Sequence, residues 1–129
     1  MTSSEDVASL EAKLNSLPEY DKARVPLLLE LLVLEGHYLH EDIVFDLGLL
    51  GDPAAIPAIA KVVEKPPSYI VEAGEWTCHP FQRKCAYALA RIGTLESRQV
   101  LQHLAKHSDP VLREYGEEGL SHWPMPWTP

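Results

Sequence analysis

Ile43-Val44-Phe45-Asp46-Leu47-Gly48-Leu49-Leu50-Gly51-Asp52-Pro53 is the stretch on which the fold turns. Ile43, Val44, Leu47 and Leu50 recur at the three- and four-residue spacing of one helix face. Gly51-Asp52-Pro53 then stops that helix and starts another. Gly51 suits a left-handed residue just past the helix end, Asp52 suits an N-cap, and Pro53 suits the first helical position, where its missing N–H costs nothing. Forty-two residues on, the pattern returns as Cys85-Ala86-x-x-Leu89-Ala90-x-Ile92-Gly93. Register continues in the next segment, with Ile59 over Leu101, Val62 over Leu104 and Val63 over Ala105. It breaks where Ile56 falls on Arg98 and Ala60 on Gln102. A period near 40, with two apolar helical stripes split by a Gly turn, describes a helix-pair repeat. Such units stack to close a core and leave a broad surface for a partner.

Outward from this stretch the sequence reads as helices. Val7, Leu10, Leu14 and Leu17 make a first stripe that Ser3 or Ser4 can cap and Pro18 ends. A second helix is expected from near Asp21 to about Glu35, its run Leu27-Leu28-Leu29-Glu30-Leu31-Leu32-Val33-Leu34 apolar nearly all round and therefore central. The third spans roughly 39–50, and the fourth presents Ile56, Ile59, Ala60 and Val63. Residues 65–79 are expected to be an irregular insert. A fifth helix is expected from Pro80 to Ile92, a sixth through Val100, Leu101 and Leu104, and a seventh from Asp109-Pro110. The tail Trp123-Pro124-Met125-Pro126-Trp127-Thr128-Pro129 cannot be helical, and either packs or is free. No alternating apolar run reads as a strand. The expected fold is an all-α solenoid of about seven helices in one domain. Its divisions are an N-terminal pair (1–37), a repeat (38–64), the insert (65–79), a second repeat (80–108), a final helix (109–122) and the tail (123–129).

Charge narrows the partner. The chain of 129 residues carries 19 acids and 11 bases, a net charge of −8. Residues 35–76 hold eight acids and two bases (−6), against −3 for residues 1–34 and +1 for residues 77–129. Phosphates need facing cations, so nucleic acid and anionic membrane are disfavoured, and a basic protein is the partner this field attracts. The two cysteines form no CxxC pair, the N-terminus carries no signal-peptide pattern, and a cytoplasmic location is expected.

Candidate chemistry is sparse. His37-x-x-His40-Glu41 shares a helix face but completes no ligand set, and is expected to be a solvated helix start. Cys78-His79 with Cys85, and His103 or His107 as a further ligand, lacks a recognised zinc spacing, and Cys85 falls on the apolar stripe. There is no activated nucleophile and no phosphate loop, so neither an enzyme nor a cofactor is expected. Tyr69, Glu72, Glu75 and Trp76 combine aromatic bulk with acid in the insert, as a contact to a basic protein would use. Against this, Tyr69 and Trp76 could fold back to seal the space between repeats. Glu41, Asp42 and Asp46 are second candidates.

Leu47-Gly48-x-Leu50-Gly51-Asp52-Pro53-x-Ala55-Ile56-Pro57 and Ala88-Leu89-Ala90-Arg91-Ile92-Gly93-Thr94 resemble the helix junctions of HEAT-like repeats, in the short form also seen in phycobilin-lyase-type proteins. Asp109-Pro110-Val111-Leu112-Arg113 resembles the start of a third unit, in which Gly116 and Gly119 replace the usual small alanines and weaken the helix by about 1 kcal/mol each. More narrowly, His40-Glu41-Asp42-Ile43-Val44-Phe45-Asp46-Leu47, the aromatic-acidic insert, Arg83-Lys84-Cys85 and Trp123 resemble small bacterial HEAT-like immunity proteins that accompany polymorphic toxins. This resemblance implies a protein that occludes the active site of a toxin domain, such as a basic nuclease. A non-enzymatic scaffold or assembly chaperone, or a bilin-lyase-like helper, would use the same repeat.

Overall fold

The computed structural model describes residues 4–128. Among them there is no strand. Seven helices of nine residues or more and one of five follow in order: α1 (Ser4–Asn15), α2 (Arg24–Leu32), α3 (His40–Leu50), α4 (Ile56–Glu64), α5 (Ser68–Glu72), α6 (Glu75–Ile92), α7 (Leu95–Ala105) and α8 (Pro110–His122). A single 3-10 turn, Pro53–Ala55, sits between α3 and α4. This is the expected all-α array of stacked helices. Ser3, one of the two candidate caps of α1, lies outside the described residues.

The two junctions are built alike because the same backbone demand recurs. Gly51 (φ 69°) and Gly93 (φ 70°) both take the left-handed conformation, and each donates its N–H back to Leu47 or Leu89. Asp52 then caps by accepting from the Ala54 N–H, while Thr94 and Ser97 form a reciprocal capping box. Core residues from both units are sealed completely: Leu47, Ile59, Leu89 and Leu101 are each 0% exposed. Each such side chain contributes about 2 kcal/mol of transfer free energy.

The first helices of successive units, α3, α6 and α8, stack side by side and run the same way. Gly48 on α3 faces Ala88 and Arg91 on α6, and a Cβ there would come within 2.9 Å of the Ala88 backbone. Gly116 and Gly119 take the same role on α8. A Cβ on Gly116 would lie 2.7 Å from the Leu104 carbonyl carbon, and one on Gly119 would lie 2.6 Å from the Leu101 side chain. The low helix propensity of these glycines is the cost of letting α8 come down onto the α7 backbone.

Three expectations need correction. Residues 65–79 are not an irregular insert, since α5 occupies 68–72 and α6 starts at Glu75 rather than Pro80. Gly74 (φ 96°) opens α6, and Pro80 is carried inside the helix on its exposed side, where water can take the bond that proline cannot make. The solvated helix start at His37 and His40 is also wrong. Both are buried, 5% and 2% exposed, and their rings stack at 4.2 Å. Nε2 of His37 donates to Leu31 O (2.7 Å) and Nε2 of His40 donates to Leu34 O (3.0 Å). The two imidazoles thus take up carbonyls at the C-terminus of α2, which ends at Leu32, short of Glu35. The tail packs, and does so on the α6–α7 junction. Trp123 Nε1 donates to Thr94 O (3.2 Å), Arg98 lies over its ring, and Met125 N donates to Ala90 O (3.0 Å). Trp127 then reaches Tyr20, with ring centroids 4.7 Å apart.

Candidate protein-binding site

Because α3 and α6 run parallel, their N-termini share one edge of the array, and α5 leads into it. Tyr69, on α5, folds back as one of the two readings required. Its hydroxyl donates to His40 Nδ1 (2.9 Å) and accepts from the His40 backbone N–H (3.4 Å), and its ring meets Tyr38 edge-on. With Nε2 donating and Nδ1 accepting, His40 is held neutral. Burial, and secondly the adjacent His37, push its pKa down to about 4. Burial raises the Tyr69 hydroxyl pKa.

Trp76 does the opposite. It is 94% exposed in the first turn of α6, next to Glu75 in sequence and four residues after Glu72. Glu72 and Glu75 are exposed and make no ion pair among the described residues. Tyr38 (80% exposed) and Val71 lie in adjoining segments of the same edge. This is a concentration of large exposed apolar groups next to unneutralised acid.

The acids of α3 split between two faces. Glu41 turns toward α6 and pairs with Lys84 (2.6 Å). Asp46 turns toward α2 and meets Arg24 (3.8 Å), and its partial burial raises its pKa despite that arginine. Asp42 is exposed on the Asp46 side. Tyr69, Glu72, Glu75 and Trp76 follow one another along α5 and the start of α6, Glu41 and Asp42 act on Tyr69 from α3, and Tyr38 is a neighbour that sequence reasoning passed over.

A second feature was also missed. A groove of about 490 Å³ runs between Phe45 of α3, the outer stripe of α6 and Tyr115 of α8. Residues 76, 80, 83, 87 and 91 are spaced 4, 3, 4 and 4 apart, so Trp76 heads the same stripe that floors the groove. Arg83 pairs with Glu118 (2.6 Å), which also accepts from the Tyr87 hydroxyl (2.6 Å). These two bonds hold the Glu118 carboxyl below its ordinary range. The 3.6-residue period across Pro80 carried this signal, but a helix start assigned at Pro80 removed Trp76 from the stripe.

The cysteines are core and near-core groups. Cys85 is fully buried and Cys78 half-buried, and burial raises both thiols. Among the described residues no group of three His, Cys, Asp or Glu side chains is arranged to hold a metal ion, and no helix is long and apolar enough to cross a membrane.

The model of the PBS lyase HEAT-like repeat matches this chain twice, over residues 40–65 and 81–107. The chain is a HEAT-like repeat protein. The matched segments are α3–α4 and the Phe81-to-His107 part of α6–α7, the two junctions with left-handed glycines. No curated protein matches it. Its HEAT-like units suggest a surface for protein interaction.

Proposed function

We propose that this HEAT-like protein is an immunity protein that neutralises a toxin domain by covering its active site. Docking runs through the edge where α3 and α6 begin. Exposure of Trp76 beside Glu72 and Glu75 carries the reading. A 94% exposed tryptophan flanked by free carboxylates is the anchor-plus-charge arrangement that a tight contact to a basic protein requires. Negative charge concentrated in residues 35–76 would speed the encounter. Tyr69 contributes by bracing Tyr38 and the start of α3, and Asp42 adds charge nearby. Glu41 and Asp46, already paired with Lys84 and Arg24, are lesser contacts. A cytoplasmic location and the absence of catalysis go with this role.

The test is a pull-down of tagged protein from its native lysate at low and high salt, repeated with Trp76→Ala and with Glu72→Lys/Glu75→Lys. A single stoichiometric basic protein, growth-inhibitory when expressed alone and lost from both variants, is the expected outcome. A growth-neutral partner would leave a scaffold rather than an immunity protein. Retention by both variants would remove the edge from the reading.

A further inference from the structure

The groove between α3, α6 and α8 has chemistry opposite to the acidic edge. Three of the chain's 11 Lys and Arg side chains, Arg83, Lys84 and Arg91, line it together with the aromatic rings of Phe45, Tyr87 and Tyr115. Two of the cations are already committed, Arg83 to Glu118 and Lys84 to Glu41. Arg91 is not. Among the described residues its guanidinium has no ion pair or hydrogen bond. Its stem rests over Gly48, where a Cβ would lie 3.6 Å from Cδ, so the side chain is laid along the groove by the absence of a side chain opposite.

We propose that this groove is a second docking site, which takes a short acidic segment of a protein partner. One carboxylate of that segment forms a forked, two-bond pair with Arg91, and a neighbouring aromatic or aliphatic side chain lies between Phe45, Tyr87 and Tyr115. An unpaired guanidinium matches one planar carboxylate bidentately. Glu41 and Glu118 sit beside the other two cations, so a backbone of repeated phosphates would meet one free positive charge and two negative ones. That balance selects a peptide over a nucleic acid. The groove stands apart from the Trp76 edge in charge, and the proposal holds whatever that edge binds.

The test uses the full chain labelled with nitrogen-15 and three probes. These are a short, otherwise neutral peptide with one Glu beside a Phe, the same peptide with Lys replacing the Glu, and a single-stranded RNA 10-mer. The acidic peptide is expected to shift the Arg91 Nε–H signal and the Ala88 and Tyr115 amides in a saturable way. Arg91→Gln, which keeps much of the stem over Gly48 and removes only the guanidinium, is expected to weaken the peptide at least tenfold while leaving the spectrum outside the groove unchanged. Equal shifts from the basic peptide, shifts confined to the Trp76 edge, no shifts at all, or undiminished binding to Arg91→Gln would overturn the proposal. RNA that moves the same signals at lower concentration than the peptide would overturn it in favour of a nucleic-acid site.

Discussion

Along the edge where α3 and α6 end, Trp123 and Trp127 are held down. Trp123 donates to Thr94 O and lies under Arg98, and Trp127 meets Tyr20 on the far side of the array. Along the opposite edge, where the same helices begin, Trp76 is 94% exposed. The difference teaches what each edge is for. A solenoid of few units has open ends and loop edges to close, and the C-terminal tail straps one of them by joining the last helix to the second junction and to the loop after α1. The other edge is left uncovered at Trp76, although α5 stands beside it and closes over His40.

The contrast can be broken first at Trp123. Trp123→Ala removes a half-buried ring and its bond to Thr94 and should cost about 3 kcal/mol in urea unfolding. A loss below about 0.5 kcal/mol would mean that the tail is an ornament and the edges differ only in composition.

Next is the pH dependence beneath the open edge. The pKa of His40 falls from 6.5 unfolded to about 4 folded, so the unfolded chain binds this proton more readily. Its contribution to stability is complete above pH 6.5 and is lost as pH falls toward 4, amounting to about 3 kcal/mol. His40→Gln keeps a donor for Leu34 O and should flatten this part of the stability–pH curve relative to the parent chain. Identical curves would show that the His40 proton is not linked to folding.

Tyr69→Phe isolates the seal on the open edge. It leaves His40 Nδ1 buried without its donor, for an expected loss of about 1 kcal/mol by thermal unfolding. The smallest effect is expected at the exposed tryptophan. Trp76→Ala should change stability by no more than about 0.5 kcal/mol. A larger drop would mean that the ring packs in solution and that the two edges are not opposites.

Much of the fold was legible because it rests on local chemistry that repeats. Gly51 and Gly93 need a left-handed backbone, Asp52, Thr94 and Asp109 carry capping oxygens, and apolar residues at three- and four-residue spacing define one face. Errors fell where a local rule had two outcomes. Pro80 satisfies the preference for a first-turn proline, yet α6 carries it in its interior at a cost of about 3 kcal/mol, and the first-turn choice hid the stripe from Trp76 to Arg91. His37 and His40 looked solvated because their partners, carbonyls of Leu31 and Leu34, exist only once α2 has ended and the chain has turned back.

The candidate site was legible in kind and not in place. An aromatic-acidic cluster at 69–76 could be named from composition, but whether its rings seal or project depends on which neighbour reaches them first. His40 reaches Tyr69, and no described residue reaches Trp76. What the sequence by itself determined is the helical class, the period, the two junctions and the sign of the charge, since each depends on residues within a few turns of one another. What only the tertiary structure decided is which acids stay unpaired, where the cations meet the aromatics, and why Gly116 and Gly119 are glycines. Those depend on distances between α3, α6, α7 and α8, and no spacing along the chain encodes them.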